Sequence, residues 1–530
     1  MRFSRTLKSS VQSLPSPDGT HIATIFPAKL SIRDTGSLEI TRVINLPAEL
    51  AASISWFFWS ASSGRILVAS SAEIRIYSPT SSQVVATISN PNSGTTRLVH
   101  VAFGATENEV CVFSEFGLKL SVFNLTTSKS VDINSPKFFS PGVAARGLSY
   151  RPQTLNLALL TRNGGKDIVS IHARDTLEVT RSWNPDTIDA QGLSWSADGR
   201  WLAVWESASQ GHRFLIYAAD GYIYKTWNGP IPTTGDTDFS LGPGIKLFEW
   251  NRSGSHVAVG DYSSRVIVLS APLFTESMNL LHTANVKPAE GLQVWQELAT
   301  AQHGGVRRDF IQARQIISPP ASTTTSTSDS NTKSGTNTIT FDKSGTLLAT
   351  KVEIIPTTIW IWDISTKILR TVLILHAPIA KLTWHPTIDE LLLIRCEGPD
   401  NRALVHLWCP SWESPQIIDF AAQLPGGKIL GKTVGRWLNT RSATAVIFFS
   451  DSQDCILASL SGPDDSTVPW QDAEVRGLDI YRRREESPLN LVAADKKASF
   501  DRVSEIVDDD NADRRSGGSE DYVEDTFLRK

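Results

Sequence analysis

Methionine and cysteine are scarce in this 530-residue chain, which has two Met and four Cys. The cysteines, Cys111, Cys396, Cys409 and Cys455, lack paired or metal-like spacing, so they fit reduced thiols packed in strands rather than a disulfide framework. An excess of either charge is missing too. The net charge of −4 and a pI near 6.2 leave no general attraction for nucleic acid or anionic lipid. No apolar run reaches the length of a membrane helix, and Met1-Arg2-Phe3-Ser4-Arg5-Thr6 has no apolar core of a signal peptide. These absences predict a cytosolic protein, or one that reaches an intracellular structure by binding. Neither nucleic acid nor membrane is expected as a partner.

Tryptophan, by contrast, is abundant, with 16 residues. Aromatic side chains suit pleated, half-buried surfaces, which favours β-structure over helical bundles. The clearest unit runs from Ile339 to Pro386. Ile339-Thr340-Phe341 leads into the turn Asp342-Lys343-Ser344-Gly345, then Leu347–Thr350, then Ile359-Trp360-Ile361-Trp362-Asp363. A fourth apolar run, Leu369 to Leu375, follows, and the pattern restarts at Leu382-Thr383-Trp384. Four short strands per forty-odd residues, with Trp-Asp ending the third, mark a WD-repeat propeller blade.

The turn after the first strand traces the repeat. Ser16-Pro17-Asp18-Gly19 is the first, and later turns follow Trp59, Phe103, Tyr150, Trp195, Trp250, Phe341, Trp384 and Trp437. From Trp59 the intervals are 44, 47, 45, 55, 91, 43 and 53 residues. Third strands keep the same beat, as in Ile32-Arg33-Asp34, Ile74-Arg75-Ile76-Tyr77 and Phe214-Leu215-Ile216-Tyr217. The 91-residue interval is two blades or one blade with an insertion. An insertion over about 271–338 is preferred, because Ser318–Thr338 is a Pro/Ser/Thr/Asn tract that cannot pack a core.

The sequence therefore predicts an all-β protein with one closed WD-repeat propeller over 1–460. Nine units are counted, more than seven, although propellers commonly have about four to eight blades. Closure removes an unpaired sheet edge, and Phe3–Lys8 is expected to supply the outer strand of the last blade. Residues 461–530 carry 18 acidic and 11 basic side chains, net −7, which leaves +3 for the rest. This stretch is read as a disordered acidic tail in which Leu489–Ala494 and Phe500–Val507 offer a short amphipathic helix, and Ser487, Ser504 and Ser516 offer phosphorylation sites.

Catalytic patterns are few. Gly426 to Thr433 fits G-x-x-x-x-G-K-[ST], which would cradle phosphates through backbone N–H groups and Lys432. That motif needs a helix after it, and Val434-Gly435-Arg436-Trp437 reads instead as a new strand, so nucleotide binding is not expected. His385, Cys396, His406 and Cys409 lack the spacing of a metal set. Asp34, Asp198 and Asp363 read as turn carboxylates that accept backbone N–H bonds. No enzyme, cofactor, metal or small-molecule substrate is predicted. Function is expected on a loop face, where Arg162, Trp205, Tyr262 and Lys351 follow second strands and are candidate partner contacts. Trp205 has the alternative of continuing a buried strand.

Several segments resemble the WD repeat-containing protein eight family, WD-repeat proteins encoded antisense to the p-seventy-three gene. They are Ser16-Pro17-Asp18-Gly19 with Ile32-Arg33-Asp34, Gly192–Gly199 with Leu202–Trp205, and Leu348–Lys351 with Ile355-Pro356 and Trp360–Ile364. The resemblance covers roughly 1–460. It implies a non-enzymatic adaptor in the cytoskeleton, at a centrosome or spindle pole body. The implied partners are a coiled-coil spindle-anchoring protein, a kinesin-14 motor and other components of the microtubule-organising centre, holding microtubule minus ends at the pole. Two alternatives stand beside it. A translation-initiation-factor-like propeller on ribosome or RNA predicts a contiguous Lys/Arg face, and the sequence shows no basic cluster. A generic WD-repeat scaffold is the other.

Overall fold

The short apolar runs fold into nine antiparallel sheets, eight of them built on a four-strand meander over residues 13–45, 56–89, 100–134, 148–183, 190–227, 245–281, 336–374 and 379–419. The ninth combines 434–459 with Arg2–Phe3 and Leu7–Lys8. These are blades one to nine of a β-propeller. The computed structural model describes residues 1–81, 83–90, 98–137, 146–230, 242–302, 305–322, 335–425, 430–439, 444–461 and 468–470.

Each blade buries both faces, so its inner strands are mostly apolar instead of alternating. Ile66–Ala69, Leu392–Cys396 and Val446–Ser450 are buried at every position. The core is accordingly partitioned into nine apolar clusters, one at each junction between neighbouring blades. The cluster joining blade nine to blade one holds Leu7, Ile22, Leu438, Phe448 and Leu457. That contact closes the ring.

Closure uses the expected segment. Arg2 and Phe3 pair with Ser459 and Ala458, and Leu7 and Lys8 pair with Cys455 and Asp454. Between them Ser4 N donates to the Leu457 carbonyl at 2.8 Å, and Leu457 N donates to Ser4 Oγ at 2.9 Å.

The aromatic residue before each first turn packs between blades. Trp59 Nε1 donates to the Leu14 carbonyl at 3.0 Å, Trp384 Nε1 to Thr340 at 3.0 Å and Trp437 Nε1 to Thr383 at 2.9 Å. Each bond reaches the first strand of the preceding blade, so the tryptophan spaces and staples adjacent blades. The turns that follow use polar side chains as expected. Ser16 Oγ and Thr20 N donate to Asp18, and Arg200 N donates to Asp198 at 3.1 Å, with Gly19 and Gly199 at positive φ of 70° and 67°. Asp34 accepts from Ser37 N at 2.7 Å, and Asp363 from Ser365 N at 2.9 Å and Thr366 N at 3.0 Å.

The insertion is narrower and more ordered than the sequence suggests. Thr275–Leu281 is the regular fourth strand of blade six, and Thr336–Phe341 opens blade seven, so both lie outside the insertion. Between them Gln293–Gln302 and Gly305–Gln312 form a hairpin. Its Gln293–Gln296 end runs parallel to Thr371–Ile374, extending blade seven to six strands. Val294 and Trp295 anchor it in the apolar clusters on either side of blade seven. Residues 323–334 of the Ser/Thr tract lie outside the described residues. The end of the ring also moves. Val468 and Trp470 pack into the nine–one junction, beyond the expected limit at 460. The acidic segment from 471, with its candidate helix and phosphorylation sites, lies outside the described residues.

Candidate functional site

In each blade the second strand runs toward the face that carries the blade-to-blade connections, and the four sequence-derived contact residues lie near that face. The fold does not bring them together. Arg162 belongs to the junction of blades four and five. Its Nη1 donates to Asp167 Oδ1 at 3.1 Å and Asp189 Oδ1 at 2.9 Å, while Lys137 Nζ reaches both carboxylates at 2.9 and 2.7 Å. The Asp167 side chain is fully buried and also accepts from Ala190 N and Thr187 Oγ1. This network ties blade four to blade five and leaves Arg162 partly exposed.

Trp205 is a core residue, 6% exposed and stacked on Phe248 with ring centres 5.0 Å apart. Its strand, Trp201–Glu206, is covered by neighbouring blades on both faces, so the expectation of an exposed anchor fails and the buried-strand alternative holds. Lys351 is also withdrawn, 7% exposed, with Nζ donating to the Ile379 carbonyl at 2.5 Å. Burial lowers its pKa, and Glu397, Cys396 and Glu353 oppose that shift. Tyr262 is half-buried beneath Lys246 Nζ, 5.5 Å from the ring, and Lys246 pairs with Glu353 at 2.8 Å.

The motif ending in Lys432-Thr433 runs into the strand Val434–Leu438, not a helix. Gly426–Ile429 lie outside the described residues. Thr433 Oγ1 is engaged locally, donating to the Arg402 carbonyl at 2.7 Å. Of the four residues weighed as metal ligands only Cys396 and His406 meet. His385 Nδ1 accepts from Thr387 N and Ile388 N, His406 Nε2 meets Glu297, Cys396 Sγ sits 4.0 Å from His406 Nδ1, and Cys409 contacts Ser411. No group of three or more metal-ligating side chains occurs among the described residues.

What the linear sequence conceals is a basic cleft between blades eight and nine. A cavity of about 510 Å³ is lined by Lys381, Arg395, Arg402, Lys432 and Arg436, together with Thr433, Cys396 and the turn at Gly398 and Pro399. Lys381 and Arg395 are paired across the first two strands of blade eight, and Arg436 stands on the first strand of blade nine. Arg395 is buried. Its Nη1 donates to the Leu404 carbonyl at 3.0 Å, and its Nη2 to Arg402 O at 2.9 Å and Thr433 Oγ1 at 2.6 Å. Gly435 makes room for it, since a Cβ there would lie 3.1 Å from Arg395 Cδ. Burial pushes the Arg395 pKa down to about 10, and partial desolvation at the cleft, with Arg436 nearby, lowers that of the surface residue Lys381. Of the cleft residues the sequence singled out Lys432 and Thr433 for a phosphate loop and Cys396 for a metal set, each a different chemistry.

Comparison with known proteins gives the same architecture. No family model matches the chain. It is 25% identical over 430 residues to mouse (Mus musculus) WD repeat-containing protein WRAP73, covering 78% of this chain and 87% of that one. It is 22% identical over 402 residues to an uncharacterized WD repeat-containing protein of Schizosaccharomyces pombe, covering 73% and 78% respectively. Among solved structures, a crystal structure of the eukaryotic initiation factor matches with TM-score 0.50 and 11% identity, over 77% of this chain and 87% of that one. At such identity the likeness concerns the fold alone. With nine blades, the repeated turn chemistry and these WD-repeat relatives in view, the chain is a WD-repeat β-propeller protein.

Proposed function

We propose that this protein is a non-enzymatic adaptor at the microtubule-organising centre, a centrosome or spindle pole body. There it holds microtubule minus ends through a coiled-coil anchoring protein and a kinesin-14 motor. The supporting observation is the likeness to WD repeat-containing protein WRAP73, which covers 78% of this chain, far more than one blade. It agrees with the family resemblance of the Ile355-Pro356 to Trp362-Asp363 segment. The architecture suits the role. Nine blades locked by apolar junctions present loops on a rigid frame, where binding residues concentrate. The chain carries 51 basic against 55 acidic residues, a balance that weighs against an RNA-docking face.

The test is affinity purification of the tagged full chain from dividing cells, with imaging of the same tag. Spindle-pole signal and recovery of a coiled-coil protein with a kinesin-14 is the expected result. Diffuse signal with recovery of ribosomal subunits overturns the proposal.

A further inference from the structure

The cleft between blades eight and nine holds more positive charge than the fold needs. Lys381, Arg395, Arg402, Lys432 and Arg436 converge on one cavity, and among the described residues no carboxylate lines it and none of the five makes an ion pair. Like charges gathered without counter-ions repel one another, and a bound anion relieves that repulsion. Arg395 is also pre-positioned. Three hydrogen bonds, two to the blade-eight carbonyls of Leu404 and Arg402 and one to Thr433 Oγ1 at the entry to blade nine, fix its guanidinium and leave two of its five N–H donors for a ligand.

The lining selects among anions. Among the described residues it contains no aromatic side chain to stack a nucleic-acid base. A carboxylate brings one charge and two oxygens, which a single arginine fork saturates. A phosphate monoester brings nearly two charges and three acceptor oxygens, which suits several converging arginine and lysine donors. The cavity is bounded by the blade-eight turn at Gly398 and Pro399 and by the entry into blade nine, on the loop face. We infer that this cleft is a phosphate-monoester site that takes a phosphorylated serine or threonine on an extended segment of a partner protein. The inference goes beyond the adaptor reading and is independent of the cellular address of the ring.

Fluorescence polarisation on the full chain tests it, using a labelled degenerate peptide library with a fixed central phosphoserine. Matched libraries carry Ser or Glu at that place, and inorganic phosphate and a single-stranded oligonucleotide serve as further probes. The phosphoserine library is expected to bind at least about tenfold more tightly than the Ser and Glu libraries. Lys381→Glu with Arg436→Glu is expected to remove that preference, with circular dichroism and the melting temperature unchanged. Both residues are exposed, and the neutral pair Lys381→Gln with Arg436→Gln gives the same reading should charge reversal disturb folding. Equal affinity for the three libraries, or binding that survives the variants, overturns the proposal. Tighter binding of the oligonucleotide, or binding of inorganic phosphate without any peptide preference, overturns it as well.

Discussion

Glu297, on the inserted hairpin, and His406, in the third strand of blade eight, meet at 3.2 Å with side chains 1% and 0% exposed. The pair fastens an element 109 residues upstream onto the neighbouring blade. Burial alone would raise the Glu297 pKa, but His406, the His376 N–H and Arg308 stabilise the carboxylate and hold it at about 2. Removing one member of a buried pair strands the other, so Glu297→Ala is expected to cost about 3–5 kcal/mol in denaturant unfolding. With the folded-state pKa below the unfolded value of 4.5, this stabilisation is full above pH 4.5 and is lost as pH falls toward 2. A Glu297→Gln variant should show a flatter acid limb.

Glu249, on the first strand of blade six, behaves in the opposite sense. Burial pushes its pKa up to about 7, only partly offset by a backbone hydrogen bond at Phe341. The folded state then holds a proton that the unfolded state has released, so ionising Glu249 destabilises the ring as pH rises from 4.5 to 7. The expected loss is on the order of 2–3 kcal/mol. Glu249→Gln should be more stable than the natural chain at pH 8 and nearly equal to it at pH 5. Thermal melts at the two pH values read this directly.

The ring was legible because its punctuation is local. A Trp, Phe or Tyr at the end of a first strand and a Ser/Asp/Gly turn after it are set by contacts within a few residues and to one adjoining blade, as Trp59 and Asp18 illustrate. The hairpin at Gln293–Gln312 was not legible, because its parallel partner, Thr371–Ile374, lies almost eighty residues further on. The exposure of Trp205 was ambiguous for another reason. A strand covered on both faces loses the alternation that separates inside from outside. The basic cleft escaped notice because Lys381 and Arg436 are 55 positions apart and meet only where two blades do.

Ring closure yields a contrast between neighbours. Leu7 is fully buried in the nine–one junction, whereas Lys8 points outward and pairs with Asp454 at 3.1 Å. Leu7→Ala should cost about 2–5 kcal/mol through lost contact and a cavity. Lys8→Ala should cost about 1 kcal/mol or less, since the ammonium is largely solvated. Deleting residues 1–8 leaves Asp454–Ser459 as an unpaired edge, and size-exclusion chromatography should then show self-association.

Trp205 distinguishes a core role from a contact role. Its ring stacks on Phe248, and the backbone at Gly192 approaches it so closely that a Cβ there would fall 2.3 Å from the indole. Trp205→Ala should therefore lower stability by about 3–5 kcal/mol, the range for truncating a buried tryptophan. Gly192→Ala should destabilise as well, since the indole must move to admit the methyl group. Urea unfolding measures both. If Trp205 were instead an exposed partner anchor, Trp205→Ala would leave the unfolding midpoint unchanged, and only partner recovery from cells would fall. A Tyr262→Ala variant, taken from a half-exposed position, supplies the comparison, because the loss of its ring under Lys246 should change stability far less.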